Sequence, residues 1–185
     1  MFTVQEKKYI LDLAHRSIEH RLATGGVLKI SEQDLPVRLK ERLACFATLT
    51  LDNELRGCIG HIEAVQSLYL DVIQNAVAAA FEDPRFSPLT VDEFKKIKIE
   101  VSILSNPIPL DFVSSVDLLD KLRPNIDGVI IQKGRSGATY LPQVWDDLPD
   151  KKEFLSSLCL KAGLEPDEWT KPGMSVWTYQ VEAIK

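Results

Sequence analysis

Cysteine is scarce in this chain: 3 residues in 185, at Cys45, Cys58 and Cys159, an odd count with no CxxC spacing. That excludes a disulfide framework and a zinc ribbon, and makes a reducing cytoplasm the expected compartment. Histidine is as sparse. His15 and His20 stand five apart rather than four, so they do not present two ligands on one helix face, and neither a metal set nor a cofactor is indicated. Long apolar runs are missing, since nothing approaches the roughly 20 residues that cross a bilayer. Met1-Phe2-Thr3-Val4-Gln5-Glu6 lacks the basic-then-apolar layout of a signal peptide. There is no excess of positive charge: 22 Lys and Arg face 27 Asp and Glu, a net −5, with the basic residues scattered. Phosphate neutralisation dominates nonspecific nucleic-acid affinity, so that role is disfavoured. Internal repeats, low-complexity tracts and a regular βαβαβ rhythm are also absent.

What remains is the mixture of an ordinary globular protein, 45% hydrophobic and 26% charged, long enough for one domain with a substantial core. Thr3-x-x-Glu6 is a capping box followed by Tyr9, Ile10, Leu13, Ile18 and Leu22 at helical spacing, a helix that should end near Gly25-Gly26. Residues 44–51 alternate as a strand, Asp52-Asn53-Glu54 reads as a turn, and Leu55 to Ile62 as the return strand. A three-residue turn sets Leu51 against Leu55, Leu49 against Gly57 and Thr48 against Cys58. One face then carries Cys45, Ala47, Leu49, Leu51, Leu55 and Ile59, the other Thr48, Thr50, Arg56, Cys58 and Gly60. A one-residue slip would mix these sets, and a bulge at Gly57 or Gly60 would re-aim them.

Ser67 is placed to cap a second helix reaching about Glu82, with Leu68, Val72, Ala76 and Ala79 as its stripe and Ala78-Ala79-Ala80 allowing close packing. Pro84 ends it. A short helix over 91–97 precedes a strand alternating Ile97, Ile99, Val101 and Ile103. A short helix over 116–122, a hairpin over 128–141 turning at 133–137, a helix over 152–162 stopped by Gly163, and a last strand over 176–181 complete the pattern. Hairpins interleaved with amphipathic helices make an α+β domain with a mostly antiparallel sheet.

The densest chemistry lies in Leu55-Arg56-Gly57-Cys58-Ile59-Gly60. In an extended segment Arg56 and Cys58 share a face, and a neighbouring cation favours the nucleophilic thiolate. Gly57 and Gly60 open the backbone to a ligand or another strand. Cys58 reads either as a nucleophile, carrier or ligand to a shared metal, or as a small side chain where the strand packs closely. His61, three residues on, points away from it. Glu100 lies on the polar side of an Ile/Val strand, as a general acid or base, a partner for Arg56 or Arg85, or a solvated charge. Asp83 and Arg85 bracket Pro84, either clamping a carboxylate or phosphate or locking the turn. Gln143 follows Pro142, to orient a ligand or cap backbone. Lys133-Gly134-Arg135-Ser136-Gly137 lacks the spacing and following helix of a phosphate loop and reads as a hairpin turn.

The hexapeptide, Asp83-Pro84-Arg85-Phe86, Ile99-Glu100-Val101-Ser102, Leu141-Pro142-Gln143-Val144 and Lys161-Ala162-Gly163-Leu164 occur in that order. With Phe154-Leu155 and Trp169, they resemble the AMMECR family, whose prokaryotic members are called AmmeMemoRadiSam system protein A. The resemblance spans roughly residues 5 to 182, with Ser67-Leu68 standing where members often carry Pro-Leu. It implies a single AMMECR-type domain over 1–185, an α+β fold with a main antiparallel sheet flanked by helices, a smaller second subdomain and a cleft between them. It further implies partnership with a Memo-like protein and a radical-SAM enzyme, without settling whether the chain is an enzyme or a non-catalytic adaptor. On this reading Cys58 and Glu100 are the catalytic candidates. Arg56, Gly57, Gly60, Asp83, Arg85 and Gln143 are the ligand-binding ones, with no metal.

Overall fold

The first helix, α1 (Val4–Thr24), starts where the sequence chemistry dictates. Thr3 accepts from the Glu6 backbone and Glu6 reaches back to the Thr3 N–H, while Gly25 closes the C-terminus at φ 71°. The computed structural model describes residues 1–185, the side chain of Asp34 excepted. The remaining elements are β1 (Ala44–Leu51), β2 (Glu54–Gly60), α2 (Leu68–Phe81), α3 (Val91–Phe94), β3 (Lys98–Leu104), β4 (Ile108–Pro109), α4 (Ser115–Lys121), β5 (Gly128–Lys133), β6 (Ser136–Tyr140), α5 (Val144–Asp147), α6 (Lys151–Lys161), β7 (Ser175–Tyr179) and β8 (Val181–Ile184), with three short 3-10 turns. The fold is α+β, built on two four-stranded sheets ordered β2-β1-β3-β8 and β4-β7-β5-β6. Among the described residues, no helix is long and apolar enough to cross a membrane.

The chain divides into two compact units: 1–104 with 182–185, and 105–181. In the first, α1 and α2 cover one face of the β1–β3 sheet. Ile10, Leu13 and Ile18 of α1, Val72, Ile73 and Ala76 of α2, and Ala47, Leu49 and Val101 of the sheet are all essentially buried. Each large aliphatic chain so buried contributes roughly 1.5–3 kcal/mol. Helix α2 begins at Ser67 as expected, but the Ser67 side chain makes no capping hydrogen bond. The second unit packs α4 and α6 on the β5–β7 sheet around Leu118, Val129, Ile131, Trp145, Phe154 and Leu158. Trp145 stacks on Phe154 at 3.6 Å, and its indole N–H donates to Asp127 O at 2.7 Å. Helix α6 is closed by Gly163 at φ 73°, with Leu164 N–H donating to Cys159 O. The expected last strand, 176–181, is two strands. β7 belongs to the second sheet and β8 to the first.

The β1–β2 turn departs from the expected one. Leu51 pairs with Glu54, so the turn is the two residues Asp52 and Asn53, both left-handed at φ 53° and 67°, the conformation that a tight hairpin needs. The register shifts between Leu49 and Thr50, leaving Arg56 without a partner in β1 as the extra residue of a bulge. Beyond it the expected pairing holds, with Leu49 opposite Gly57 and Thr48 opposite Cys58. Leu55, expected in the core, is 44% exposed because the bulge lies between it and the buried stretch.

Candidate functional site

The hexapeptide forms the edge strand β2, so one row of its backbone groups has no neighbouring strand. At Cys58 that row is completed by the turn after α2. Cys58 N–H donates to Asp83 Oδ2 at 2.9 Å, and Arg85 Nη2 donates to Cys58 O at 3.4 Å. Asp83 in turn accepts from the Arg85 backbone at 3.1 Å, from Nε at 2.9 Å and from Nη2 at 2.7 Å. The Arg85 guanidinium, through these bonds, holds the Asp83 carboxyl far below the usual carboxylate range despite burial. Pro84 keeps the two side chains side by side, and together they do the work of a fifth strand at this residue.

Because its N–H points outward, Cys58 forms a non-hydrogen-bonded pair with Thr48, in which side chains approach closely. Its Sγ lies 3.3 Å from Thr48 Oγ1. Thr48 is paired on its other side with Glu100 of β3, so Cys58, Thr48 and Glu100 form a row across three strands. Two strand spacings set Cys58 and Glu100 about 10 Å apart. Glu100 accepts from Ser102 Oγ at 3.2 Å and pairs with Lys185 Nζ at 2.8 Å. Neither Arg56 nor Arg85 is its partner.

Arg56, lifted out of register by the bulge, turns to the capping box of α3. Its Nε and Nη2 donate to the two Glu93 oxygens at 2.9 and 3.2 Å, and Nη2 also to Ser87 O at 2.8 Å. Arg56 and the Thr90 backbone hold the Glu93 carboxyl down to about 2. The arginine side chain is 11% exposed, and its Nη1 is buried without a partner among the described residues. Phe86 lies beside both Arg56 and Arg85, at 5.7 and 5.5 Å from ring centroid to guanidinium carbon.

Both glycines of the motif meet the protein itself. A Cβ on Gly57 would lie 2.0 Å from Ala79 O of α2, and one on Gly60 would lie 2.4 Å from the Phe46 ring. Gln143 belongs to the second unit, where it precedes α5 with its side chain exposed and its backbone carbonyl accepting from Asp146 at 3.1 Å. Lys161 donates to Thr139 O at 2.9 Å, and Lys133 pairs with Glu168.

The other cysteines are of a different kind. Cys45 is fully buried and burial, reinforced by Asp71, pushes its thiol well up. Burial likewise raises Cys159.

His61 faces away from Cys58, toward α2, and there it meets residues the sequence reading did not single out. Its Nδ1 lies 2.7 Å from Asp71 Oδ1. Asp71 is 1% exposed and also accepts from Cys45 N–H at 2.9 Å, Asn75 Nδ2 at 2.9 Å and Gln66 Nε2 at 3.0 Å. The available signal was the four-residue spacing of Asp71 and Asn75, which puts two polar side chains on one face beside an apolar stripe.

The chain matches the AMMECR1 family over residues 11–184. It is 38% identical to a protein of Thermofilum pendens (strain DSM 2475 / Hrk 5), covering 97% of this chain and 89% of that one. It is 36% identical to Protein MK0488 of Methanopyrus kandleri, over 99% and 89% of the two chains. The crystal structure of PH0010 from Pyrococcus horikoshii superposes with a TM-score of 0.83 at 32% identity, covering 98% of this chain and 92% of that one. A family match across almost the whole sequence, carried by the same α+β architecture, places this chain in the AMMECR1 family.

Proposed function

We propose that this chain is a cytoplasmic protein that binds a small ligand at the Arg56/Cys58 strand and acts with Memo-like and radical-SAM partners, Cys58 being its reactive group. The observation supporting this is the Cys58–Thr48–Glu100 row: a half-buried thiol at 3.3 Å from a hydroxyl, on a sheet edge where the Cys58 backbone is already paired with Asp83 and Arg85. With the Cys58 backbone paired on both its N–H and its C=O, the thiol is the group of this residue left to react. Arg85, 53% exposed beside it, supplies a cation for an anionic ligand. Glu100 acts at a distance of two strands, on the far end of a ligand rather than on the sulfur. The partners rest on the family resemblance.

A second reading, a non-catalytic adaptor, draws on one observation: Arg56 and Asp83 are spent on intramolecular pairs and Gly57 on helix packing. Purification of the tagged chain from its own cells separates the two. The first reading expects Cys58→Ala to match the parent in melting temperature and in co-purifying partners, yet fail to restore the phenotype of a deletion strain. Full restoration by Cys58→Ala overturns it in favour of the adaptor.

A further inference from the structure

In the first unit, on the opposite face of β2 from Cys58, a pocket of about 380 Å³ is lined by His61, Asn75 and Glu82 over a wall of Val27, Ile59 and Ile73. Its polar character follows from which atoms are already committed. The Asn75 amide nitrogen donates to Cys45 O at 3.1 Å and to Asp71 Oδ2 at 2.9 Å, with Cys45 Sγ at 3.7 Å and His61 Nδ1 at 3.4 Å also beside it. That fixes the amide orientation, and Oδ1 is left over. Asn75 is 1% exposed, and Oδ1 has no hydrogen-bond partner among the described residues. Asp71 collects donors from Cys45, Gln66 and Asn75, so its contact with His61 is an Nδ1–H donation. In the neutral imidazole this leaves the lone pair on Nε2, and the His61 side chain is 42% exposed.

The pocket therefore displays three acceptors, an amide oxygen, an imidazole lone pair and a carboxylate, above aliphatic side chains, beside the Gln74 amide, whose oxygen accepts from Gln66 Nε2 at 2.8 Å. Arg21, the cation among the lining residues, donates through Nη1 to Gly25 O at 2.8 Å and is turned to the end of its own helix. A ligand that complements these groups brings N–H donors, a positive charge and a short hydrocarbon body. We propose that the pocket is a binding site for a small aliphatic primary ammonium, its N–H groups donating to Asn75 Oδ1 and His61 Nε2 and its charge facing Glu82. Asp71 is the positioning residue that fixes the imidazole tautomer. The site is independent of the Cys58 reading, because His61 and Cys58 face opposite sides of the strand.

The test titrates isoamylammonium chloride into the isotopically labelled full chain in mildly alkaline buffer, with isoamyl alcohol and isovalerate as neutral and anionic comparisons. NMR follows backbone amides and the His61 ring. Saturable shifts confined to His61, Asn75 and their pocket neighbours are expected for the ammonium. Binding should be at least about tenfold weaker (~1.4 kcal/mol) for the alcohol, and weaker by a similar factor in His61→Leu. Glu82→Gln, an exposed change that leaves the fold alone, should weaken the ammonium and spare the alcohol. Absence of saturable ammonium shifts, isovalerate binding as tightly, or unchanged affinity in both variants overturns the proposal.

Discussion

Gly57 is fixed by a collision: any Cβ there would lie 2.0 Å from the Ala79 carbonyl. A flexible side chain could swing aside, but helix backbone cannot. Gly57→Ala is therefore expected to destabilise by about 3 kcal/mol, the upper end of the usual overpacking range, read as a lower urea midpoint at unchanged slope. Ala79→Gly does not relieve it, since the obstacle is a backbone oxygen. Glu93 makes a second residue-scale prediction. Its carboxyl is held down to about 2 in the folded chain, against an ordinary value of 4.5, by the Arg56 guanidinium and the Thr90 backbone. A depressed folded value means stability that is present above the unfolded value and lost as pH falls from about 4.5 toward 2. Urea midpoints measured at neutral pH and in that acid window should converge for Glu93→Gln and the parent as the pH drops, the variant being the less stable at neutral pH. A constant gap would show that the Arg56 pair carries no pH-linked stability.

At the scale of elements, β2 is an edge strand made safe by a turn, and the pair that completes it is Asp83 with Arg85. Asp83→Ala removes the acceptor of the Cys58 N–H, so amide exchange there should quicken by about tenfold, equivalent to ~1.4 kcal/mol. Leu49 on the neighbouring strand should be unaffected. Equal acceleration across the sheet would mean that Asp83 holds the whole unit rather than its edge. The same strand shows what was legible in advance. Binary alternation in β1 and β3, the capping box at Thr3 and the stop at Gly163 are local signals, and the elements stand within a residue or two of where they put them. The bulge at Arg56 was not legible, because a two-residue turn plus one extra residue gives the same downstream register as a three-residue turn. Asp71 was not singled out for a different reason. Its worth lies in four partners, three of them (Cys45, His61 and Gln66) outside its own helix, which periodicity along one helix does not reveal. Arg56 beside Cys58 in sequence proved to be Arg56 against Glu93 in space, 37 residues away.

For the whole molecule, the second unit begins and ends at one place: Ser105 N–H donates to Gln180 O at 2.8 Å. With its own core around Trp145 and Phe154, residues 105–181 expressed alone should give a cooperative thermal transition by circular dichroism. A featureless melt would show that this core is insufficient by itself. The reactivity proposed for Cys58 belongs to the other unit and singles out one of the chain's three thiols. Its most direct measurement is alkylation of the native protein with iodoacetamide near neutral pH, followed by peptide mass spectrometry over time. Cys58 is expected to be modified first and nearly alone. Cys45 and Cys159, whose thiols burial pushes up, should be modified only after urea unfolding. Modification of all three together, and only on unfolding, would contradict it.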